Sequence, residues 1–283
     1  MNRIIEKDSI AESICRFVIE APQIARKRKA GNFVIVRANE TAERIPLTIV
    51  DSNVERGTIT LIVQGVGKTT RMLNSMRTGD VLADVIGPLG HPTPIEKVGT
   101  VVCIGGGVGT AEVLPIARAL KAAGNRVISI IGARTRELLI LEDEMRAASD
   151  ELIVVTDDGS YGRRGLVIDP LKEMIEQGRE LSAVYAIGPL PMMRAAAKTT
   201  EPHKLKTYVS LNPVMIDGTG MCGGCRVTVA GQTRFACVDG PEFDAHEVDF
   251  DNLIMRNRAY QEQERGALER YEAELVAAAE GLV

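Results

Sequence analysis

Between Ser210 and Asp251 the chain shows little apolar periodicity and carries three of its five cysteines, so this stretch must be organised around something other than a hydrophobic core. The stretch contains Asp217-Gly-Thr-Gly-Met-Cys222-Gly-Gly-Cys225 and then Cys237, a spacing of D-x4-C-x2-C-x11-C. Plant-type [2Fe–2S] ligation has the spacing C-x4-C-x2-C with a distant fourth cysteine. In that register Asp217 takes the first ligand position, and Cys222, Cys225 and Cys237 take the other three. The four glycines from Gly218 to Gly224 let a loop wrap closely around a cluster and aim amide N–H groups at its sulfurs. Other uses of the same residues are open at this point. His246 could complete a Cys3His zinc site, which would make the chain a zinc-stabilised binding module, and Asp217 could be a turn residue only. A thioredoxin-like Cys-Gly-Gly-Cys pair would need a strand-to-helix setting that is missing here.

The rest of the chain divides by the period of its apolar residues. Up to about residue 95, short β-rich runs alternate with turns: Ile14 to Glu20, Asn32 to Arg37, Arg44 to Val50, Thr58 to Gln64 and Val81 to Ile86. Evenly spaced strands predict an antiparallel barrel or sandwich. Lys68 to Met76 is its one predicted helix, with Thr69 and Thr70 as caps. Beyond Pro92 and Pro94, continuous apolar runs at Thr100 to Ile104, Arg126 to Ile131, Glu151 to Val155 and Ala183 to Ile187 alternate with helical patterns. These helices fall near Val108 to Ala123, Glu137 to Ala148, Leu166 to Gln177 and Pro191 to Lys198. The alternation predicts a parallel sheet with helices on both faces. The expected division is a barrel over 1–95, an α/β domain over 96–209, a cysteine loop region over 210–251 and a C-terminal helix over 252–283. In the last segment Leu268, Leu275 and Leu282 form one stripe, better suited to packing on the chain itself than on a partner.

Two glycine loops invite a phosphate reading. Gly105-Gly106-Gly107-Val108-Gly109-Thr110 follows a strand and opens a helix, where backbone amides and the positive helix end bind phosphate. No G-x-G-x-x-G register fits it, and Arg134 stands near the end of the next strand where a dehydrogenase of the usual kind has a ribose-binding acid. A pyrophosphate-binding variant fits, as does simple close helix–sheet packing. Gly65-Val66-Gly67-Lys68-Thr69-Thr70 resembles a Walker A loop in part, but Ile62 stands where that motif needs its first glycine. It is an anion site in form, or else a solvated turn. Cys15 and Cys103 lie in strand runs as buried thiols, and His91, His203 and His246 have no triad-like company.

Composition excludes several classes of function. A charge of -4, 4% aromatic residues and no Trp argue against a nucleic-acid surface. The longest uncharged run, Val98 to Ala111, is too short for the ~20 apolar residues of a membrane span. The charged start resembles no signal peptide, so a cytoplasmic protein is expected.

Arg44-Ile45-Pro46-Leu47-Thr48, the Gly105–Gly109 loop and the Asp/Cys3 segment occur in an order that resembles the ferredoxin reductase-like electron-transfer subunits over roughly residues 1 to 255. The stretches Ser210-Leu211-Asn212-Pro213 and Cys237-Val238-Asp239-Gly240-Pro241, together with aspartate as first ligand, are similar to the small subunits of NADH-dependent reduced ferredoxin:NADP oxidoreductases, also called sulfide dehydrogenase beta subunits. In the electron-transfer subunits of dihydroorotate dehydrogenases the first ligand is cysteine. The resemblance implies an FAD-binding barrel, with Arg44, Pro46, Leu47 and Thr48 at the flavin and Gly67, Lys68, Thr69 and Thr70 at its pyrophosphate. It implies NAD(H) on the second domain at Gly105, Gly106, Gly107, Val108, Gly109, Thr110, Arg134, Asp157, Asp158, Gly188 and Pro189. Many relatives have Cys before that Gly-Pro turn, where this chain has Ile187. A [2Fe–2S] cluster on Asp217, Cys222, Cys225 and Cys237 would pass single electrons to a larger partner with a second FAD, two [4Fe–4S] clusters and the NADP site. The implied assembly is an electron-bifurcating heterodimer that takes electrons from ferredoxin.

Overall fold

The computed structural model describes residues 2–279. Its first part holds β1 (Ile4–Ala11), β2 (Ile14–Glu20), α1 (Pro22–Lys27), β3 (Phe33–Arg37), β4 (Ile45–Thr48), β5 (Asp51–Asn53), β6 (Thr58–Gln64), α2 (Lys68–Ser75) and β7 (Asp84–Leu89). Two antiparallel sheets, ordered β1-β2-β6-β5 and β4-β3-β7, enclose a common core. Alternation along the strands builds that core: Phe17 and Ile19, Val34 and Val36, and Ile59 and Leu61 all point inward and are buried. Burying each such side chain contributes about 1.5–3 kcal/mol. Pro46 can sit in β4 because that strand is a sheet edge, where the missing N–H breaks no ladder.

The second part consists of β8 (Thr100–Gly106), α3 (Gly109–Ala122), β9 (Arg126–Ala133), α4 (Glu142–Ala148), β10 (Glu151–Thr156), β11 (Arg163–Arg164), α5 (Asp169–Glu176), β12 (Ala183–Ile187), α6 (Leu190–Thr200) and β13 (Thr207–Ser210). These strands form a parallel sheet, β11-β10-β9-β8-β12-β13. The reason for its continuous apolar runs is that both faces are covered. Val102, Ile104, Ile128 and Ile130 pack on the side of α5 and α6. Val101, Cys103, Val127 and Ile131 pack on the side of α3 and α4. Cys15 and Cys103 are both buried, as their strand positions predict.

The last part contains β14 (Arg226–Val229), β15 (Gln232–Phe235), α7 (Ala236–Asp239), β16 (Glu242–Asp244), α8 (Phe250–Asn257) and α9 (Gln261–Ala279). Here the structure departs from the expected loop region. β14 and β15 form a hairpin whose turn places Ala230 and Gly231 at φ 49° and 71°, while β16 pairs antiparallel with β13 and extends the parallel sheet. Val227, Val229, Cys225 and Cys237 belong to the sheet's own core cluster, so the cysteine segment borrows a core from its neighbour.

Three other differences have local causes. β1 escapes the strand pattern because Glu6 and Asp8 lie on its exposed side, and α1 is a six-residue helix opened by Pro22, too short to show a period. The C-terminal segment breaks at Arg258–Tyr260 into two helices. α9 is tied to α2 by the Arg71–Glu272 ion pair, with Leu268 half-buried and Leu275 exposed. Leu282, the third residue of the expected stripe, lies outside the described residues. No helix among the described residues is long and apolar enough to cross a membrane.

Candidate functional site

The barrel, the parallel sheet and the cysteine segment meet at a cavity of about 280 Å³. β4 lines it with Pro46, Leu47 and Thr48; β6, α2 and the turn between them add Gln64, Val66 and Thr70. Val108, Ala111 and Glu112 face it from the start of α3, and Ser210, Leu211, Asn212, Met215 and Pro241 close the far side. Its walls are mostly apolar with a few polar groups, as an aromatic cofactor requires.

Arg44 stands beside this cleft without lining it. Its Nε and Nη2 donate to Asp84 Oδ2 at 3.1 and 2.9 Å, and the same oxygen accepts from Arg37 Nε at 2.7 Å. Hydrogen bonds from Arg37 first, and then Arg44, hold the Asp84 carboxyl below the usual carboxylate range. One carboxylate therefore orients two guanidinium groups, Arg37 pairs also with Glu40 at 3.0 Å, and the remaining N–H donors of Arg44 are available to an anion.

At the start of α2, the N-cap is Gly67 and not a threonine. Thr70 Oγ1 accepts from the amides of Val66 and Gly67 at 3.0 Å each, which consumes two donors of the loop. The first helical bond runs from the Arg71 amide to Gly67, so the amides of Lys68, Thr69 and Thr70 are the ones the helix leaves for an outside acceptor. Lys68 makes no ion pair among the described residues, whereas the Thr69 side chain is buried and reaches back to Glu43. A Cβ on Gly67 would meet nothing within 4 Å, so the space beside it is open.

The second set of residues lies along the carboxyl ends of the parallel strands. The chain runs outward from β8 to β11 and returns to β12 on the other side of β8, so the switch in strand order falls between β8 and β12. Open α/β sheets bind ligands at such a switch. Here Gly105 to Thr110 and the Gly188-Pro189 turn adjoin: a Cβ on Gly109 would lie 2.2 Å from the Ile187 carbonyl oxygen. Gly105 is also tight, its Cβ falling 2.6 Å from Thr110 Cα, so both glycines permit close helix–strand packing. Gly107, at φ +59°, has open space where its side chain would be. Exposed Arg134, Asp157 and Asp158 follow β9 and β10 on the same edge. Asp158 is occupied in its own turn, accepting from the Ser160 amide at 2.9 Å and hydroxyl at 2.7 Å, which lowers its pKa. Asp157 and Arg134 have no side-chain partner among the described residues.

In the cysteine segment the donors come in two pairs. Cys225 Sγ and Cys237 Sγ lie 3.2 Å apart, buried at the open end of the hairpin, and burial followed by the Cys225 contact pushes the Cys237 thiol up to about 12. Asp217 accepts from the amides of Thr219 at 3.0 Å and Cys222 at 2.8 Å, bonds that keep its carboxyl ionised. Cys222 is exposed, with the Gly224 amide 3.4 Å from its sulfur. Among the described residues no group of three or more His, Cys, Asp or Glu is set around one metal ion. Two pairs, not one group of three or four, are what a binuclear cluster asks for, and anionic sulfur and oxygen donors suit iron. His246 does not join them. Its Nε2 is 2.9 Å from Thr200 Oγ1 and its Nδ1 3.7 Å from Asp244, which speaks against a Cys3His zinc site.

Of the sequence-derived site residues, the structure brings Pro46, Leu47, Thr48, Thr70 and Val108 into one cleft, and the others do not line it. It adds Gln64, Glu112, Ser210, Asn212, Met215 and Pro241. Ser210, Asn212 and Pro241 lie within the stretches that carry the family resemblance, which was a usable signal. Gln64 and Glu112 gave none, being single polar residues on otherwise ordinary elements.

Comparison with known proteins divides the chain in the same way. Residues 2–93 match the oxidoreductase FAD-binding domain, residues 103–198 the oxidoreductase NAD-binding domain, and residues 212–249 the iron–sulfur cluster binding domain of dihydroorotate dehydrogenase B. The chain is 46% identical over 271 residues to a dihydroorotate dehydrogenase B (NAD(+)) electron transfer subunit homolog of Thermotoga maritima, covering 96% of this chain and 95% of that one. It is 33% identical to the corresponding electron transfer subunit of Geobacillus thermodenitrificans, with 87% and 96% covered. Among solved structures it is similar to a chain of the NADH-dependent reduced ferredoxin-NADP oxidoreductase, determined for insight into flavin-based electron bifurcation. That match has a TM-score of 0.91 at 44% identity and covers 96% of this chain and 98% of that one. Phthalate dioxygenase reductase, at 17% identity and a TM-score of 0.56, shares the fold.

Proposed function

Because the chain belongs to the family of dihydroorotate dehydrogenase B electron transfer subunits and their homologs, we propose that it is the NAD(H)-side subunit of an electron-bifurcating ferredoxin:NADP oxidoreductase. It is an oxidoreductase subunit with FAD-, NAD- and iron–sulfur-binding domains. The observation that carries the finer reading is Asp217, an ionised oxygen donor held by two amides at the first ligand position. Flavin accepts a hydride as two electrons and can release them singly, which is the chemistry that joins a nicotinamide to a one-electron cluster.

Each residue set has its task in this reading. Pro46, Leu47 and Thr48 wall the flavin ring, while Arg44 and the amides of Lys68, Thr69 and Thr70 hold its phosphates. Gly105 to Thr110 bind the dinucleotide pyrophosphate at the helix start. Arg134, Asp157, Asp158, Gly188 and Pro189 frame the remainder along the same sheet edge. Asp217, Cys222, Cys225 and Cys237 hold the cluster. Arg44→Ala is expected to release FAD while leaving the iron count unchanged, because it removes the cation beside the cleft and does not touch the cysteine segment. Retention of full flavin occupancy by this variant would refute that role.

The alternative, service to a dihydroorotate dehydrogenase, draws on the name of the Thermotoga relative. A reconstitution decides between them. Alone, the chain should reduce artificial acceptors with NADH and give no ferredoxin-driven NADP reduction. With a larger flavo-iron–sulfur subunit carrying a second FAD, two [4Fe–4S] clusters and an NADP site, reduced ferredoxin plus NADH should reduce NADP. Full NADP turnover by the isolated chain, or NAD-linked dihydroorotate oxidation by its native complex, would replace the proposal.

A further inference from the structure

Two carboxylates, one in the wall of the cleft and one next to its lining residues, have no ion-pair partner among the described residues. Glu112, in the first turn of α3, lines the cavity directly. Glu242 opens β16, next to Pro241 and opposite Ser210 in the β13–β16 ladder, and both of these neighbours line the cavity. Glu242 Oε1 accepts from Thr93 Oγ1 at 2.7 Å, and its Oε2 is buried with no hydrogen-bond partner. A buried carboxylate oxygen without a donor is costly when charged and is relieved by a proton. The groups that feel the charge of Glu242 are Glu112 on α3, Cys103 on β8 and Tyr185 on β12; none is cationic. Burial pushes both carboxyls up to about 7, and the charge of Glu242 adds to the rise at Glu112. The charge of Glu242 disfavours ionisation of Glu112, and the unpartnered Oε2 disfavours ionisation of Glu242, so each carboxyl is a ready proton acceptor.

We propose that Glu112, in the wall of the cleft, and Glu242, beside the lining residues Ser210 and Pro241, form a pair of carboxyl groups that takes up the proton left behind when hydride electrons depart one at a time. The inference rests on the flavin reading above. Hydride leaves NADH with the C–H electron pair and one proton; the two electrons then pass singly to the iron–sulfur acceptor. The flavin N–H bond breaks, a carboxylate O–H bond forms on the pair, and the proton is later given to water. Over one cycle NADH yields NAD⁺, one proton and two electrons. Both residues are partly exposed, which allows the last step. A carboxyl whose pKa lies near the working pH exchanges protons in both directions with little bias.

The test has two stages. In the flavin-free chain with ¹³C-labelled glutamate, two carboxyl carbons should titrate near neutral pH, far from the ordinary glutamate value of about 4.3. Glu242→Gln should remove one of these and bring Glu112 downward, because it deletes a neighbouring charge. In the FAD-loaded chain, flavin is first reduced with NADH and then oxidised by a one-electron acceptor, with proton release followed by a pH dye. Glu112→Gln and Glu242→Gln should each delay release relative to electron arrival by about tenfold or more. Titration of both carboxyls in the ordinary range, or unchanged proton release in both variants, overturns the pair. Failure of the parent chain to bind FAD overturns the flavin reading together with the pair, whereas bound FAD with undelayed protons overturns the pair alone.

Discussion

A Cys222→Ala chain is expected to retain its flavin and lose its iron. Four donors are required for a [2Fe–2S] cluster, and the four proposed ligands form the Cys225–Cys237 pair at the open end of the hairpin and the Asp217–Cys222 pair at the loop surface. Without Cys222 the outer iron would keep only the carboxylate of Asp217, a hard donor that does not replace thiolate. Cys222 is exposed, so its loss opens no cavity and the fold should survive. Cys225 is 1% exposed, and its replacement would confound loss of ligand with loss of packing. The expected result is iron-free protein whose flavin NADH still reduces but whose one-electron output has collapsed. An unchanged iron content would refute the ligand assignment as a whole. Asp217→Cys makes the opposite test: it should keep the cluster and shift its midpoint potential, since a thiolate replaces a harder oxygen. A spectrum and potential identical to the parent would remove Asp217 from the ligand set.

Gly109→Ala is expected to abolish NADH-dependent reduction while leaving FAD in the barrel. The added Cβ would lie 2.2 Å from the Ile187 carbonyl oxygen and 2.9 Å from Gly188 Cα. Both are backbone atoms at the end of β12, so no side chain can swing away and α3 must shift relative to the sheet. Overpacking of this kind costs about 1–3 kcal/mol and sometimes more, and a displacement near 1 Å at a positioned reactant costs about a hundredfold in rate. Gly107→Ala is the matched control. Its Cβ would meet nothing of the described residues within 4 Å, and the left-handed backbone at φ +59° costs only about 1–2 kcal/mol. It should fold with a modestly lower Tm and lose NADH affinity through crowding of the cradle. Melting curves and NADH titrations of the two variants check both statements, and parental stability with parental NADH affinity in Gly109→Ala would show that the contact with β12 is not limiting.

The readable parts of this protein were those whose physics is local. β2, β6 and β12 match their sequence runs because alternation or continuous burial dictates them over five to seven residues. The D-x4-C-x2-C-x11-C spacing pointed to a cluster because ligand chemistry restricts both residue type and reach. The Gly105–Thr110 loop was legible as strand, turn and helix start, yet its glycines look alike in sequence; only their neighbours separate Gly109, which packs, from Gly107, which stays open. β1 was hidden by the charges on its exposed side, and the hairpin from Arg226 to Phe235 by an Ala-Gly turn that carries little signal although Val227 and Val229 alternate correctly.

Sequence alone therefore determined the order of modules and the sheet types, which follow from periodicity along short stretches; donor spacing pointed to a cluster, and the family resemblance implied FAD and NAD(H). Tertiary structure decided which distant groups act together. Arg44 meets Asp84 across 40 residues, and Glu112 comes under the charge of Glu242 only because β16 folds back against β13. The shared cleft exists only where β4, the start of α3 and the segment after β13 converge. The physical reason is that burial and electrostatic coupling depend on distances through space, which chain spacing does not encode.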